Sequence, residues 1–511
     1  MVEQSTLVFN ADVHTMGPTA DRAHWFYVEN GHIRDMGMFR GYTKYMDIAE
    51  TVVDAKGRTV LPGFIDSHVF LLQTGINAQG INLADATTLE EVYDLISDRA
   101  RRLPPGQFIR ASNFDEFKLR ERCFPTRNNL DRVCPRHPVW INRKDMHTSI
   151  LNTSALGRMN IPFNLPGYGM EGGVPTGVIK DHANAAVRKH IYNTLSVEEK
   201  EAALRIGAEM ALEKGITTLV AVDGGFLFGD TDYQFINDRV DGLPIDVVQF
   251  ANTTNVREPY KDRVKHCGSY FLDGTFTSRT AALFEHYRDD PDNYGSLYFS
   301  EESLYSLFEN THLLDMQIAV HSIGDRAIDM ALRAFGHVLA KYPKKDHRHR
   351  IEYFALADES MIRRVRDLGL YVMMIPSFMN YWCHGGSMYE EHIGKERMDR
   401  CYPLRLIQEA GIPILGGSDS DVTEMNPILG LAAAVNTPNP NSKLSLRQAL
   451  KMFTINGAKG VFQENIKGSL EKHKQADFII LDCEIDTVGP EQLSRIGIEK
   501  TFRKGVLVYE S

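Results

Sequence analysis

From residue 5 to residue 37 the chain alternates apolar and polar positions with a period of two. STLVFNADVHTM and HWFYVENGHIRDMG read as strands on that pattern, and Asn30-Gly31 inside the second is a two-residue hairpin turn. The far end of the chain is similar, since ADFIILD and KGVLVYE are short, β-rich and separated by a polar segment. Neither end holds enough strands to stand as a sheet alone. The two are therefore expected to combine into one small β-sandwich domain, residues 1–60 with 466–511.

The middle changes period. Eight apolar, β-branched segments recur (LPGFIDSHV, ITTLVAVDG, IDVVQFANT, GSYFLDG, QIAVHSIG, RIEYFAL, LYVMMIPSF and IPILGGSDS), and amphipathic helical stretches such as DRAIDMALRAFGHVLAKY, DESMIRRVRDLG and YPLRLIQEAG follow several of them. Alternation of this kind predicts an α/β fold with a parallel sheet covered by helices, and eight strands is the count of a (β/α)8 TIM-type barrel, here over residues 61–465. The first strand-to-helix connection is far too long for a plain loop. Residues 71–197 are read as an insertion with strands of its own, FIRASNF and VWINRKD, covering the barrel mouth. No internal repeat or low-complexity tract interrupts the pattern.

Composition adds little to this except exclusions. The 511 residues suffice for a large barrel and an accessory module, with 43% hydrophobic and 24% charged positions. Lys+Arg 57 against Asp+Glu 67 leaves a net charge of −10, which argues against nucleic acid or an anionic membrane as partner and favours a small neutral or cationic substrate. The N-terminus lacks the basic start and apolar run of a signal peptide, and no apolar stretch is long enough to span a bilayer. Six scattered cysteines without a C-x-x-C pair read as reduced thiols. A cytoplasmic protein, assembled as a homodimer, is expected.

Barrels of this type carry their chemistry at the C-terminal ends of the strands. Those ends offer His68, Ser269 with Asp273, His321, Tyr353 and Asp419. Two imidazoles and a carboxylate, His68, His321 and Asp419, form a possible ligand set for one divalent ion, Zn2+; the same groups could move protons without metal. A half-buried Asp419 would be costly unless paired or used. Tyr353 could polarise a carbonyl, and Phe70 would pack beside it and dry the site. From the insertion, His147, Lys180, Asp181 and His182 are candidates to line the substrate side, and Trp382 in the aromatic loop YWCHGGSMY is a candidate wall. Cys383 and His384 are adjacent in sequence and so poorly placed to act as nucleophile and base. The HRHR turn from His347 to Arg350 and the acidic stretch GDTDYQF read as structural or solvated.

Six segments in order carry a resemblance: LPGFIDSHV, RKDMHTSILNTSAL, FLDGTFTSRTAAL, VHSIGDRAID, DHRHRIEY and GGSDSDV, followed by GSLEKHKQADFIILD. Over nearly the whole chain the sequence resembles the amidohydrolase superfamily, in particular the N-substituted formamide deformylase-like branch. That resemblance implies hydrolysis of a non-peptide C–N bond in a small molecule, with Asp419 as general base and acid, His321 and Tyr353 assisting. The departures are specific. The family's first strand ends His-x-His, but here it is His68-Val69-Phe70. Its bridging lysine is replaced by Ser269, and its Ile-Glu-His by Ile351-Glu352-Tyr353. A bridged pair of metal ions is therefore not expected; at most one ion is. A metal-independent lyase, isomerase or hydrolase, or a non-catalytic small-molecule-binding protein, are the readings that compete on the same scaffold.

Overall fold

In a computed structural model, the structure describes residues 5–18, 20–225, 227–229 and 231–511. Residues 1–4 of the expected β-domain and Asp230 of the acidic stretch lie outside them. Eight strands run parallel through the centre: β1 (Phe64–Val69), β2 (Ile216–Ala221), β3 (Asp246–Gln249), β4 (His266–Phe271), β5 (Gln317–Ser322), β6 (Arg350–Tyr353), β7 (Tyr371–Met374) and β8 (Ile414–Gly416). Each overlaps one of the eight apolar segments of the sequence. They pair as a three-stranded sheet, β3-β2-β1, and a five-stranded sheet, β4-β5-β6-β7-β8. Single parallel bridges join the two sheets at both seams, Ala251 to Cys267 and Val69 to Ser420. At the second seam the Asp419 amide donates to the His68 carbonyl at 2.9 Å and the Phe70 amide to the Ser420 carbonyl at 2.9 Å. The arrangement is of the TIM-barrel type, mixed α/β.

Most of these strands are buried along their whole length, which is why they read as apolar runs rather than as alternating ones. Helices return from them along the outside. The helix Asp325–Lys341 after β5 turns Ile328, Ala331, Phe335 and Val338 inward at helical spacing. The helix Glu359–Asp367 after β6 starts where the Asp358 side chain accepts the Met361 amide. Among the described residues, no helix is long and apolar enough to cross a membrane.

Both ends of the chain meet in one six-stranded sheet, whose order is 506–510, 498–503, 478–481, 59–62, 12–14 and 22–23. A second sheet of four strands, 32–37, 25–29, 5–9 and 51–54, lies against it. Val8, Phe26, Val28 and Ile33 of the smaller sheet share a core with Val60, Phe478, Ile480 and Phe502 of the larger one. The turn between 25–29 and 32–37 holds Asn30 at φ 51° and Gly31 at φ 78°, the two positive values that a tight hairpin demands. The sequence did not suggest strands 51–54 and 498–503; both carry charged residues, exposed at Asp54 and half-buried at Glu499, Lys500 and Arg503, that break the apolar alternation.

The long connection after β1 begins with helix α1 (Leu71–Ala78) and contains a third sheet, ordered 168–171, 174–180, 148–151, 139–143, 109–114 and 81–82. The Asp223 carboxylate, just beyond β2, caps α1 by accepting the Leu71 and Leu72 amides at 2.8 and 3.0 Å. Arg188, on helix Asp181–Asn193, fastens this segment to the central strands. Its guanidinium is fully buried and donates to Gln73 Oε1, Asn142 Oδ1 and the Leu227 carbonyl at 2.7–3.0 Å, all neutral acceptors.

Candidate active site

Tyr353 ends β6 with φ 70°, and Asp419 follows β8 with φ 54°. A bulky side chain in the left-handed region costs energy and is held there only by surrounding structure, a pattern concentrated at functional sites. The strain turns both side chains onto one point. The Tyr353 hydroxyl donates to Asp419 Oδ1 at 2.9 Å and lies 3.2 Å from His68 Nε2. His68 Nδ1 is 2.5 Å from Glu352 Oε2 on the other side. Arg350 supplies the counter-charge, with Nε 2.7 Å from Glu352 Oε1, Nη2 bound to Ser67 O at 3.0 Å, and the guanidinium stacked on Phe250. Glu352, His68, Tyr353 and Asp419 thus form one hydrogen-bonded file, all but Asp419 and Tyr353 at 1% exposure or less.

Burial sets the protonation along this file. It pushes the Asp419 carboxyl well above its usual range, against the Tyr353 hydroxyl bond that pulls it down. Burial also lowers the His68 imidazolium, and Glu352 only partly offsets that. With His68 neutral and its Nδ1–H donating to Glu352, Nε2 presents a lone pair to Tyr353. When Asp419 is protonated the Tyr353 hydroxyl can turn from Asp419 Oδ1 to His68 Nε2, and the Asp419 proton can then pass to Tyr353 as the Tyr353 proton passes to His68.

The file ends at an enclosed chamber of about 20 Å3, roughly the room one water needs. Its apolar walls include Phe70, Met146, Phe271, Phe378 and Trp382, and its polar ones Asp145, His147, Thr275, Thr277, His321, Tyr353 and Asp419. Larger clefts of about 560 and 530 Å3 abut it, sharing Phe271 and Val422 respectively. His321 Nε2 is turned to the Gly274 carbonyl at 3.2 Å, and its Nδ1 has no hydrogen-bond partner. Burial holds His321 well below the usual imidazole value and pushes His147 down to about 4, the nearby Asp145 only partly opposing.

Of the residues singled out in the sequence, Asp419, His321, Tyr353, His147, Phe70 and Trp382 line this chamber, and His68 lies directly behind Tyr353. Lys180 and Asp181 do not. They line a separate cleft with Ser278, Arg279 and Asn293, at the end of the strand 174–180. Ser269 is buried within β4 and its hydroxyl, without a hydrogen-bond partner, is not part of the chamber. Asp273 is structural: its carboxylate accepts the Ala282, Ile323 and Gly324 amides at 2.8–3.1 Å.

The ligand set expected of His68, His321 and Asp419 is not assembled. The Tyr353 hydroxyl stands between His68 and Asp419, whose nearest atoms are 3.6 Å apart, and His321 faces a backbone carbonyl instead. Among the described residues, the three-residue clusters of potential metal-ligand atoms lie elsewhere, at Asp12, His14 and Asp486 and at Asp289, Glu391 and His392. The residues at the strand ends do not fit a metal ion.

Sequence reasoning missed the anchor of the chamber roof. Asp145 itself lines the chamber beside Met146 and His147; it and Arg143 are both 3% exposed, and their Nη1–Oδ2 distance is 2.7 Å. Asp145 also accepts from Thr277 at 2.6 Å, from Thr275 at 3.1 Å and from Ser278, three hydroxyls of the loop after β4. The signal was present as RKD followed by the run TFTSRT, but a charged pair and a hydroxyl run far apart in sequence give no hint that they meet.

The chain matches the Amidohydrolase family over residues 51–509. It is 27% identical to the putative amidohydrolase YtcJ of Bacillus subtilis, covering 98% of each chain. It is 25% identical to the N-substituted formamide deformylase of Arthrobacter pascens, covering 99% of this chain and 98% of that one. A crystal structure of an uncharacterized metal-dependent hydrolase from Pyrococcus horikoshii superposes with a TM-score of 0.77 at 23% identity, over 95% of this chain and 99% of that one. That last likeness is one of fold.

Proposed function

Because the chain belongs to the amidohydrolase family, we propose that it hydrolyses a C–N bond in a small non-peptide amide or formamide, with Asp419 as the proton-transfer group. The single observation that carries this reading is the file Glu352–His68–Tyr353–Asp419 ending at an aromatic chamber. The Arthrobacter relative, an N-substituted formamide deformylase, supports the choice of bond. The Pyrococcus structure is described as a metal-dependent hydrolase. The strand-end residues here do not fit that role, so the steps below belong to the chain's own side chains.

Asp419 first passes its proton through Tyr353 to His68, where Glu352 stabilises the imidazolium. The resulting carboxylate takes a proton from water as the water oxygen attacks the substrate carbonyl. With substrate in place, the Tyr353 hydroxyl is near enough to Asp419 to donate to the carbonyl oxygen as charge develops there. Asp419 then gives the proton taken from water to the leaving nitrogen as the C–N bond breaks, and His68 returns its proton through Tyr353 to Asp419, restoring the starting state. The aromatic walls exclude bulk water, which strengthens each of these interactions. The same relay would serve a metal-independent lyase or isomerase, a second reading favoured by Phe70 and Tyr353 standing where the family has histidines.

Asp419→Asn decides whether the carboxylate does the chemistry. Amide for carboxylate keeps shape but cannot accept a proton, so turnover of a panel of small amides and formamides should fall on the order of 10²-fold or more. The variant should unfold at the same temperature as the wild type or higher. Full turnover in a normally folded variant removes Asp419 from the mechanism.

We propose in addition that residues 1–60 with 466–511 form an accessory β-domain and that 71–197 is an insertion covering the chamber, as the shared sheets and the position of His147 support. A cytoplasmic setting is consistent with six free cysteines.

A further inference from the structure

Two loops roof the chamber. One follows β4 and carries Thr275, Thr277 and, further on, Asp289; the other follows β7 and carries Trp382 and the short helix Met388–Ile393. They meet at His392, whose side chain is 1% exposed. Its Nδ1 lies 2.9 Å from the Phe276 carbonyl, an acceptor only, so Nδ1 must carry the ring proton. In the neutral ring Nε2 is then a bare lone pair. It is buried, has no hydrogen-bond partner, and faces Asp289 Oδ2 at 3.7 Å. A lone pair opposite a carboxylate oxygen repels unless something positive lies between them. One atom each from Asp289, Glu391 and His392 all fall within 4.8 Å of one another.

We propose that Asp289, Glu391 and His392 hold a divalent transition-metal ion of the zinc class, which fastens the two roof loops to each other. A backbone carbonyl holding Nδ1–H is the arrangement by which ligating histidines fix the tautomer that offers Nε2. One imidazole nitrogen and two carboxylate oxygens suit such an ion, with water completing its coordination. Arg279 is bound to Asp289, with Nε 3.1 Å from both oxygens and Nη2 on Oδ2, the oxygen that faces His392, but it makes no hydrogen bond to the imidazole itself. A carboxylate has about four acceptor positions, so this pairing leaves room for an ion. The Arg122–Glu391 bridge at 3.1 Å is exposed and holds Glu391 weakly.

The second cluster of this kind differs in one respect. At Asp12, His14 and Asp486 the guanidinium of Arg22 bonds to all three residues and already supplies the cation. Among the described residues, none hydrogen-bonds to His392 Nε2 in that way.

The test is equilibrium dialysis of the chelator-treated full chain against Zn2+ alone, with Mg2+ as control, and thermal unfolding in parallel. The wild type should bind one Zn2+ and unfold at higher temperature with it. His392→Ala and Glu391→Gln should weaken binding by about 10-fold or more and lose the thermal gain. Asp419→Asn should bind as the wild type does. No uptake, uptake indifferent to Glu391→Gln, or uptake abolished by Asp419→Asn would each overturn the assignment. Should His392→Ala not fold, Glu391→Gln decides alone, since Glu391 is a surface residue.

Discussion

Replacing Arg143 by methionine tests whether the chamber roof is held by a buried charge cluster. The side chain is 3% exposed and makes three short contacts, two to Glu116 at 2.7 and 2.8 Å and one to Asp145 at 2.7 Å. Methionine fills much of the same volume, so the packing loss is small and the electrostatic loss dominates. Removing one partner of a buried ion pair costs about 3–5 kcal/mol, because the remaining charge is left in a poor solvent. Two carboxylates are left here, but Asp145 keeps three hydroxyl donors and the His147 amide. Those bonds place the expected loss at the lower end, about 3 kcal/mol. Urea unfolding should show it as a lower midpoint at unchanged slope. Adding Asp145→Asn should recover part of the loss, since the double variant no longer buries that unpaired carboxylate. A single variant within about 0.5 kcal/mol of wild type, or a double variant whose losses simply add, would refute the idea that Arg143 and Asp145 act as a pair.

Tyr353→Phe should lower kcat by about 10-fold or more with little change in KM, because the lost hydroxyl bridges Asp419 and His68 rather than binding substrate alone. A pure KM effect would place Tyr353 in substrate binding instead. His147→Gln should alter how stability responds to acid. The folded His147 titrates at about 4 against 6.5 unfolded, so its contribution is complete above 6.5 and is lost as pH falls. Between pH 7 and pH 5 the variant should gain about 2 kcal/mol relative to wild type. Parallel pH curves for the two proteins would contradict the burial-driven shift.

Most of the eight central strands were legible because burial on both sides makes them nearly continuous apolar runs. The hairpin at Asn30-Gly31 was legible because its backbone accepts few other residues. The chamber was half legible. Strand-end position pointed to His68, His321, Tyr353 and Asp419 and the loop pattern to Trp382, but strand-end position also pointed to Ser269, and membership of the insertion to Lys180 and Asp181. A strand end says which rim a residue stands on, and Lys180 ends a strand of a different sheet. Glu352, one position before Tyr353, was legible as part of a motif and not as the partner of His68. Alternation along a strand puts neighbours on opposite faces, and only the φ of 70° at Tyr353 brings both into one file. The Arg143–Asp145 anchor depends on contacts across more than a hundred residues, which no local pattern encodes.

The sheet that joins both chain ends also sets an order of events during synthesis. Strand 59–62 leads straight into β1, yet its neighbour on one side is strand 478–481, and the Thr6 hydroxyl bonds to a carbonyl 499 residues further on. While the ribosome makes the central strands, the early β-strands have no partner for their open edge. Pairing across such a separation is slow and leaves that edge free to meet other chains. The strands after 478 therefore act as a latch made later: Val60, Phe26 and Val28 share a core with Phe478 and Phe502, and those residues are synthesised only after the central strands. A chain stalled before residue 478 would carry its central strands with their first sheet still unzipped.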